Sequence, residues 1–296
     1  MKASVSVIIP TCNRSTLVTR AIESVLSQTY TDFECIIVDD ASNDNTYEVV
    51  NSYSDDRLIC FRHDTNLGAS AARNTGIKHS KGNFIAFLDD DDEWLSTKLE
   101  KQVKLIRSLS DKVGMIHCWM DYFGQNGRII KEHHSVLRGH VFPCVIDRQR
   151  MGGCPTLLVR RKVIERIGWF DESLPRGNDG DFIRRVCRQY EVDYVPEVLV
   201  KVYTNHGDER ISDKNKKSIM NALKGQKIKL EKFSRELSQL PKQKANIYVY
   251  IGNHYAELGV ISKALNNYLK AIYLVPYQKH LYKIFFRKLL FSIING

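Results

Sequence analysis

Phe84-Ile-Ala-Phe-Leu-Asp89-Asp90-Asp91-Asp92-Glu93-Trp94 joins an apolar run to five consecutive acids. The apolar part reads as a buried strand, and adjacent carboxylates at its end repel one another unless something cationic sits among them. A divalent metal is the obvious counter-charge. The bland alternative is a solvated turn whose acids favour the start of the next helix. The segments on either side decide between the two.

Upstream, Val5-Ser-Val-Ile-Ile9 is a β-branched run closed by Pro10, and after Thr11-Cys-Asn-Arg14 a helical pattern passes through Leu17, Ala21, Ile22, Val25 and Leu26. Phe33 to Val38 is a second strand, ending in Asp39-Asp40-Ala-Ser42, with a helical stretch over about 46–53. A third strand, Leu58 to Arg62, leads through Asn66-Leu-Gly68 into an Ala-rich helix over 69–79. Strands alternating with helices predict an α/β fold with a Rossmann-like, mostly parallel sheet covered on both faces. Ligands then bind beyond the carboxyl ends of the strands. Pro10-Thr11, Asp39-Asp40 and Asp89 to Asp92 all fall at such ends, so three polar clusters converge on one crevice. That convergence favours a binding site over solvated turns.

Downstream, a helix is expected from Leu95 to Leu109, with Asp92 and Glu93 serving its start. Strands follow at 113–122 and 128–132. Gly152-Gly-Cys-Pro-Thr156 precedes a helix over 161–167, and Asn178-Asp179-Gly-Asp181 opens a helix marked by Phe182, Val186 and Tyr190. Asp179 and Asp181 can cap that helix or do chemistry, and spacing alone does not choose between the two. Tyr194-Val-Pro and Val198 to Tyr203 read as strands leading to Asn205-His206. A lone loop histidine such as His206 more often serves neither as ligand nor as phosphate contact.

From Asp213 the composition turns to Lys, Ser, Asn and Leu at helical spacing, which places a domain boundary near 212. The first domain is then 1–212, with a nucleotide-binding half of about 1–110 and an acceptor half of about 111–212, and a helical extension occupies 213–296. From Lys201 onward there are 18 Lys/Arg against 6 Asp/Glu, and before it 26 against 28, so the net charge of +10 belongs to the extension. Asn246 to Pro276 resembles one tetratricopeptide-type helix pair, which must pack on the main domain, a second copy of the chain in a homo-oligomer, or a membrane. Lys279 to Ile294 reads as a basic amphipathic helix with Leu281, Ile284, Phe285 and Leu289 on one face, suited to an anionic membrane surface. The other reading is a core-packed terminal helix.

Hydrophobic content of 43% and charged content of 26% are ordinary for a folded soluble protein. The seven cysteines are scattered, with no Cys-x-x-Cys pair, and fit reduced core residues in a cytoplasmic setting. The chain begins directly in strand-like sequence with no signal-peptide pattern. The basic region carries no groove-reading or base-stacking motif, which argues against a nucleic-acid partner.

Val7-Ile-Ile-Pro-Thr-Cys-Asn-Arg14, Ser27-Gln-Thr-Tyr30, Val38-Asp-Asp-Ala-Ser42, Asn66 to Gly76, Phe87-Leu-Asp-Asp-Asp-Asp92 and Asp179-Gly-Asp-Phe182 stand in the order of the family 2 glycosyltransferases, and the chain resembles that family over roughly residues 3–210. The resemblance implies the GT-A fold and an inverting transfer from a nucleotide-diphosphate sugar, a UDP-sugar first, to a glycan or lipid-linked glycan of bacterial surface polysaccharide biosynthesis. It implies that Pro10, Thr11 and Asn13 line the nucleotide pocket, that Asp40 accepts from the imide N–H of a uracil, and that Arg73 lies near the diphosphate. Asp91 would be the direct ligand of a Mn or Mg ion with Asp89 supporting it, and Asp90 would face the donor sugar. Asp179 matches the general base; Asp181 is carried over beside it, and Arg185 and His206 would lie near the diphosphate and the closing loop. Asn178 stands where the family often has Glu, so the base assignment rests on Asp179 and its spacing to Asp181 and Arg185.

The reaction calls for these residue types independently. Negative charge builds on the leaving diphosphate, which a hard cation with oxygen ligands neutralises. The attacking hydroxyl must lose a proton, which a carboxylate can take. Two other functions could use a similar first half or the same binding site. A nucleotidyltransferase would need a glycine-rich phosphate loop after the first strand, and Pro10-Thr-Cys-Asn-Arg14 has no glycine. A non-catalytic, nucleotide-sugar-binding scaffold is opposed by the intact acids at 40, 89, 91 and 179. The expected location is the cytoplasmic face of the cell membrane, peripherally attached.

Overall fold

The computed structural model describes residues 3–124, 126–204 and 215–294; His206 and the expected boundary at 212 lie outside them. The described residues fall into two compact units. One takes 3–142, 149–172 and 179–204, and the other 143–148, 173–178 and 215–294.

The first unit opens as the hydrophobic periodicity predicts. Strand β1 (Val5–Thr11), helix α1 (Ser15–Leu26), β2 (Phe33–Asp39), α2 (Thr46–Asn51), β3 (Leu58–Arg62), α3 (Ala69–His79) and β4 (Phe84–Phe87) alternate in chain order. β1 pairs in parallel with β2 and with β4, and β2 with β3. Val5, Val7 and Ile9 point to one face of β1 and pack with Val18, Ile22 and Val25 of α1 in the main core. Burial of such β-branched and apolar side chains contributes about 1.5–3 kcal/mol each.

The acids do not run straight into a helix. The Asp92 amide donates to the Asp89 carbonyl at 3.1 Å, closing a turn, and β5 (Asp92–Trp94) then pairs antiparallel with a later strand. Only after it comes α4 (Lys98–Ser108). Glu93, read in the sequence as belonging to the helix start, instead accepts from Lys201 at 2.8 Å and from the Tyr203 hydroxyl at 2.7 Å.

β6 (Val113–Phe123), β7 (Ile129–His133), a 3-10 turn at Cys154–Thr156, β8 (Leu158–Arg160), α6 (Arg161–Ile167), α7 (Asn178–Gln189) and β9 (Glu191–Tyr203) complete the α/β part, and the short helix α5 (Phe142–Val145), between β7 and the turn, belongs from Pro143 on to the second unit. The sheet order is β3-β2-β1-β4-β8-β6-β9-β5, with β7 paired to β6. β8 is antiparallel to both β4 and β6, so β6 runs the same way as β4. β9 is one strand, parallel to β6 with register shifts near Cys118 and Trp119, where Pro196 interrupts the ladder. Helix α3 is tied to the 168–172 turn by Asn74, which donates to the Phe170 carbonyl at 3.0 Å and accepts from its amide at 2.9 Å.

The second unit contains α8 (Lys216–Lys232), α9 (Ser234–Ser238), α10 (Pro241–Glu257), α11 (Ile261–Leu274) and α12 (Lys279–Ile294). A Cβ on Gly252 of α10 would lie 2.5 Å from the Tyr268 ring of α11, so these helices approach as closely as only glycine allows. The Tyr268 hydroxyl donates to Asn253 at 2.8 Å across the same contact. Segment 143–148 joins this unit through Asp147, whose carbonyl accepts from Lys229 at 2.9 Å and whose carboxylate accepts from Asn246 at 2.7 Å. Leu281 of α12 is 2% exposed and packs with Ala245, Ala271 and Val275. Part of the face expected to meet lipid is thus in the core, and among the described side chains of α12 the apolar Tyr282 and Phe286 are turned outward. Among the described residues no helix is long and apolar enough to cross a membrane.

Candidate active site

β1, β2 and β4 end at one edge of the sheet, and their last residues meet there because all three run in parallel. Thr11 lies opposite Asp39, and the Leu88 amide bonds to the Ile8 carbonyl at 3.0 Å, which brings Asp89 to the same edge. The β1–α1 and β2–α2 loops are interlocked. Asn13 has φ of 54°, its amide donates to the Ser42 hydroxyl at 2.8 Å, and its side chain accepts from the Asn43 amide at 2.6 Å. Pro10, Thr11 and Asn13 therefore border the edge on a loop held from both sides.

Asp40 is buried and its carboxylate is already engaged. One oxygen accepts from the Leu67 amide at 2.8 Å and lies 2.7 Å from His63 Nδ1; the other accepts from the Gly68 amide at 2.7 Å. Gly68 has φ of 90°, a conformation that favours glycine, and stands at the N-cap of α3. Asp40 thus seats the loop from which α3 departs, while the oxygen that accepts from Gly68 alone retains acceptor capacity.

The acid run is divided among arginines. Arg14 Nη1 is 2.8 Å from Asp90 and 3.2 Å from Asp91, Arg73 Nη2 is 2.5 Å from Asp89, and Arg20 donates to the Asp91 carbonyl at 2.5 Å. Burial pushes the Asp90 carboxyl up to about 6 against the pull of Arg14. Asp89 is also raised, by burial and then by Asp179 and Asp91, with Arg73 opposing. Arg73 is buried over the Phe170 ring; burial alone would lower it, yet Asp89 keeps it above the usual arginine range. The Asp89 side chain is 31% exposed against 9% and 10% for Asp90 and Asp91, so it is the most reachable of the three.

Asp179, at the start of α7, accepts from the Cys154 amide at 3.0 Å. A Cβ on Gly153 would come 3.2 Å from its Oδ2, so the Gly152-Gly153 approach fits a bare backbone to the carboxylate. Burial, with Asp179 adding, holds the Cys154 thiol well above its ordinary pKa, and it stays protonated. The structure therefore brings Asp89, Asp90, Asp91, Arg73 and Asp179 into one electrostatic neighbourhood. Asp181 and Arg185 lie further along α7. Arg185 pairs with Asp181 at 2.8 Å and donates to the carbonyls of Ile167, Gly168 and Trp169 at 2.7–2.9 Å, capping α6.

Arg14, Arg20, His63 and Cys154 were not singled out in the sequence. A run of adjacent acids implies cations, and the basic residues after the first strand were the available signal for Arg14 and Arg20. A backbone donor such as the Cys154 amide leaves no residue-type signal.

Four carboxylates, Asp89, Asp90, Asp91 and Asp179, face the guanidinium groups of Arg14, Arg20 and Arg73, so the neighbourhood can accept more positive charge. Asp89 and Asp91 offer hard oxygen donors. Among the described residues no three His, Cys, Asp or Glu converge as a complete metal cage. Two carboxylates, with the other ligands coming from phosphate and water, fit the way Mg-type ions are commonly bound.

The sequence model of the family described as Glycosyl transferase family 2 matches residues 6–168, more than half of the chain. A glycosyltransferase of Rickettsia prowazekii, itself uncharacterized, is 33% identical over 207 residues, which are 67% of this chain and 63% of that protein. The chain thus spans somewhat under two thirds of that relative. The Escherichia coli UDP-Glc:alpha-D-GlcNAc-diphosphoundecaprenol beta-1,3-glucosyltransferase WfaP is 42% identical over 104 residues, covering 35% of this chain and 41% of WfaP. In fold, the mannosyltransferase PcManGT of Pyrobaculum calidifontis, solved with GDP-Man and Mn2+, superposes with a TM-score of 0.62 at 17% identity over 98% of this chain and 85% of its own. The α/β architecture with its parallel β3-β2-β1-β4 half is thus that of GT-A glycosyltransferases, and the chain belongs to glycosyl transferase family 2.

Proposed function

We propose that this chain is an inverting, metal-dependent glycosyltransferase that moves one sugar from a nucleotide-diphosphate donor, a UDP-sugar first, to a lipid-linked glycan in bacterial surface polysaccharide biosynthesis. The observation that carries the reading is the joining of Asp179 and the Asp89-x-Asp91 pair through Arg73 and the Cys154 turn. A proton acceptor and an oxygen donor set for a cation then face one reacting centre. The UDP donor and lipid-diphosphate acceptor named for WfaP support the substrate classes.

Pro10, Thr11, Asn13 and Asp40 border the nucleotide, with Asp40 using its remaining acceptor capacity for a base N–H. Arg73 faces the diphosphate, and Asp90 the donor sugar. Asp91 and Asp89 would hold Mn or Mg, which when bound offsets the charge building on the leaving diphosphate. Asp179, oriented by the Cys154 amide, takes the proton of the acceptor hydroxyl as its oxygen bonds to the anomeric carbon and the bond to the diphosphate breaks. A single displacement inverts that carbon.

The second unit attaches the enzyme peripherally to the anionic cytoplasmic face of the membrane. Tyr273 and Tyr277 are 86% and 72% exposed, and Tyr282 and Phe286 stand beside Lys283 and Arg287 on the outward side of α12, a mixture of aromatic and basic groups suited to lipid headgroups.

The test is a panel of UDP-, GDP- and dTDP-sugars with manganese and a short-chain alkyl α-GlcNAc diphosphate as acceptor. Transfer from one donor, with Asp91→Ala abolishing manganese-dependent donor binding, is expected. No turnover of any donor, together with unchanged donor binding in Asp91→Ala, would sink the proposal.

A further inference from the structure

Because β6 runs in the same direction as β4, its C-terminal half, Trp119 to Phe123, reaches the sheet edge that carries Asp89. There His134, just past β7, is held on two sides. Its ring stacks on Trp119 with centroids 4.6 Å apart and planes 21° apart, and its Nε2 lies 2.9 Å from Asp121 Oδ1. The indole is itself fixed, its N–H donating to the Ser135 carbonyl at 3.0 Å.

The exposures differ in an informative way. The Asp121 side chain is 7% exposed and that of His134 33%. Burying a carboxylate carries a desolvation cost, and here the group it orients is a surface imidazole. A surface histidine with only a packing role needs no such orientation. Nδ1 of His134 has no hydrogen-bond partner among the described residues. The neighbouring His133 lies against the backbone of Arg150 and Met151, and Gly152-Gly153 continues from there to the Cys154 amide that holds Asp179. The donor site uses none of these groups.

We infer that His134, pinned by Trp119 and Asp121, binds a hydroxyl of the acceptor sugar and selects the acceptor on the side of the site away from the nucleotide. The inference rests on the glycosyltransferase reading above and deepens it. Nδ1 exchanges a hydrogen bond with the sugar hydroxyl, Trp119 supplies the apolar edge beside it, and Asp121 is a positioning residue that acts through the imidazole.

The experiment measures binding of the alkyl α-GlcNAc diphosphate by calorimetry and, separately, transfer kinetics, for the full chain and for His134→Ala, His134→Gln, Asp121→Asn and Asp121→Ala. His134→Ala is expected to weaken acceptor binding and raise acceptor KM by about tenfold, the scale of one lost hydrogen bond, with donor KM and donor hydrolysis changed less than about twofold. His134→Gln should recover part of the loss. Asp121→Ala should follow His134→Ala, and Asp121→Asn should fall between. Acceptor binding in folded His134→Ala within about twofold of the parent, or the absence of any His134-dependent acceptor binding, overturns the inference. If the parent binds acceptor through His134 but turns over no donor, the catalytic reading fails and the acceptor site stands.

Discussion

Asp179, at the start of α7, and Asp40, at the end of β2, are both carboxylates of the site, yet the hydrogen bonds around them set different consequences for substitution. Asp179 has one backbone donor and a neighbourhood of like charge. Asp179→Asn is expected to lower kcat by about a thousandfold, within the range of general-base removal, while donor affinity in calorimetry stays within about twofold. An equal loss of donor affinity would mean that the residue binds rather than takes the proton. Asp40→Ala strips partners from the Leu67 and Gly68 amides, and should cost about 1–3 kcal/mol in urea unfolding as well as weakening nucleotide binding. Weaker nucleotide binding with unchanged stability would favour a direct base contact over a role in seating the loop. Asp40 and the Asp89–Asp92 run were legible in the sequence because they end apolar runs, and Asp179 because it opens a helical pattern. Their arginine partners were not, because Arg14 and Arg73 lie 76 and 16 residues from the acids they meet.

At the scale of elements, the α/β alternation over 5–88 could be read from period and turn residues alone. β5 could not: three residues, Asp92–Trp94, carry no periodicity, and their strand state exists because β9 offers a partner edge. The α10–α11 pair could be read from its Gly and Tyr spacing, and the close approach gives it a sharp test. Gly252→Ala places a methyl group against a rigid ring and should lower stability by about 1–3 kcal/mol, measured as a loss of helical signal at lower denaturant. A neutral result would mean that the helices move apart freely.

β6 carries its own pH response. His117 is fully buried, its Nε2 is 2.9 Å from the Leu137 carbonyl, and burial lowers it to about 4 from 6.5. A histidine depressed in the folded state favours unfolding once the unfolded chain takes up the proton. Stability should therefore be complete above pH 6.5 and fall toward pH 4, by on the order of 3 kcal/mol from this group. The urea midpoint followed across that range should decline more gently in His117→Gln, and an identical slope would remove the assignment.

For the whole molecule, the uneven charge is the property that matters. The basic extension and the outward aromatic groups of the second unit should bring the protein to vesicles containing phosphatidylglycerol. The Lys283→Glu, Arg287→Glu double variant should weaken partitioning about tenfold or more, since each basic group near an anionic surface contributes about 1 kcal/mol. Equal flotation of parent and variant would remove the membrane role. Point variants are preferred to removal of α12, because Leu281 lies in the core of the helical unit and its loss would unfold what is being tested.

Local sequence alone determined the run of strands and helices, the carboxylates at the strand ends and the place of the basic charge, because periodicity, turn residues and charge act over a few positions. The tertiary structure alone decided which cations divide the acid run, that Asp92 and Glu93 join a strand, and that a backbone amide holds Asp179. It also turned Leu281 inward and pinned His134 between Trp119 and Asp121. Each of these depends on partners distant in the chain, and hydrogen bonds and ion pairs of that kind exist only once the sheet has set its strand order.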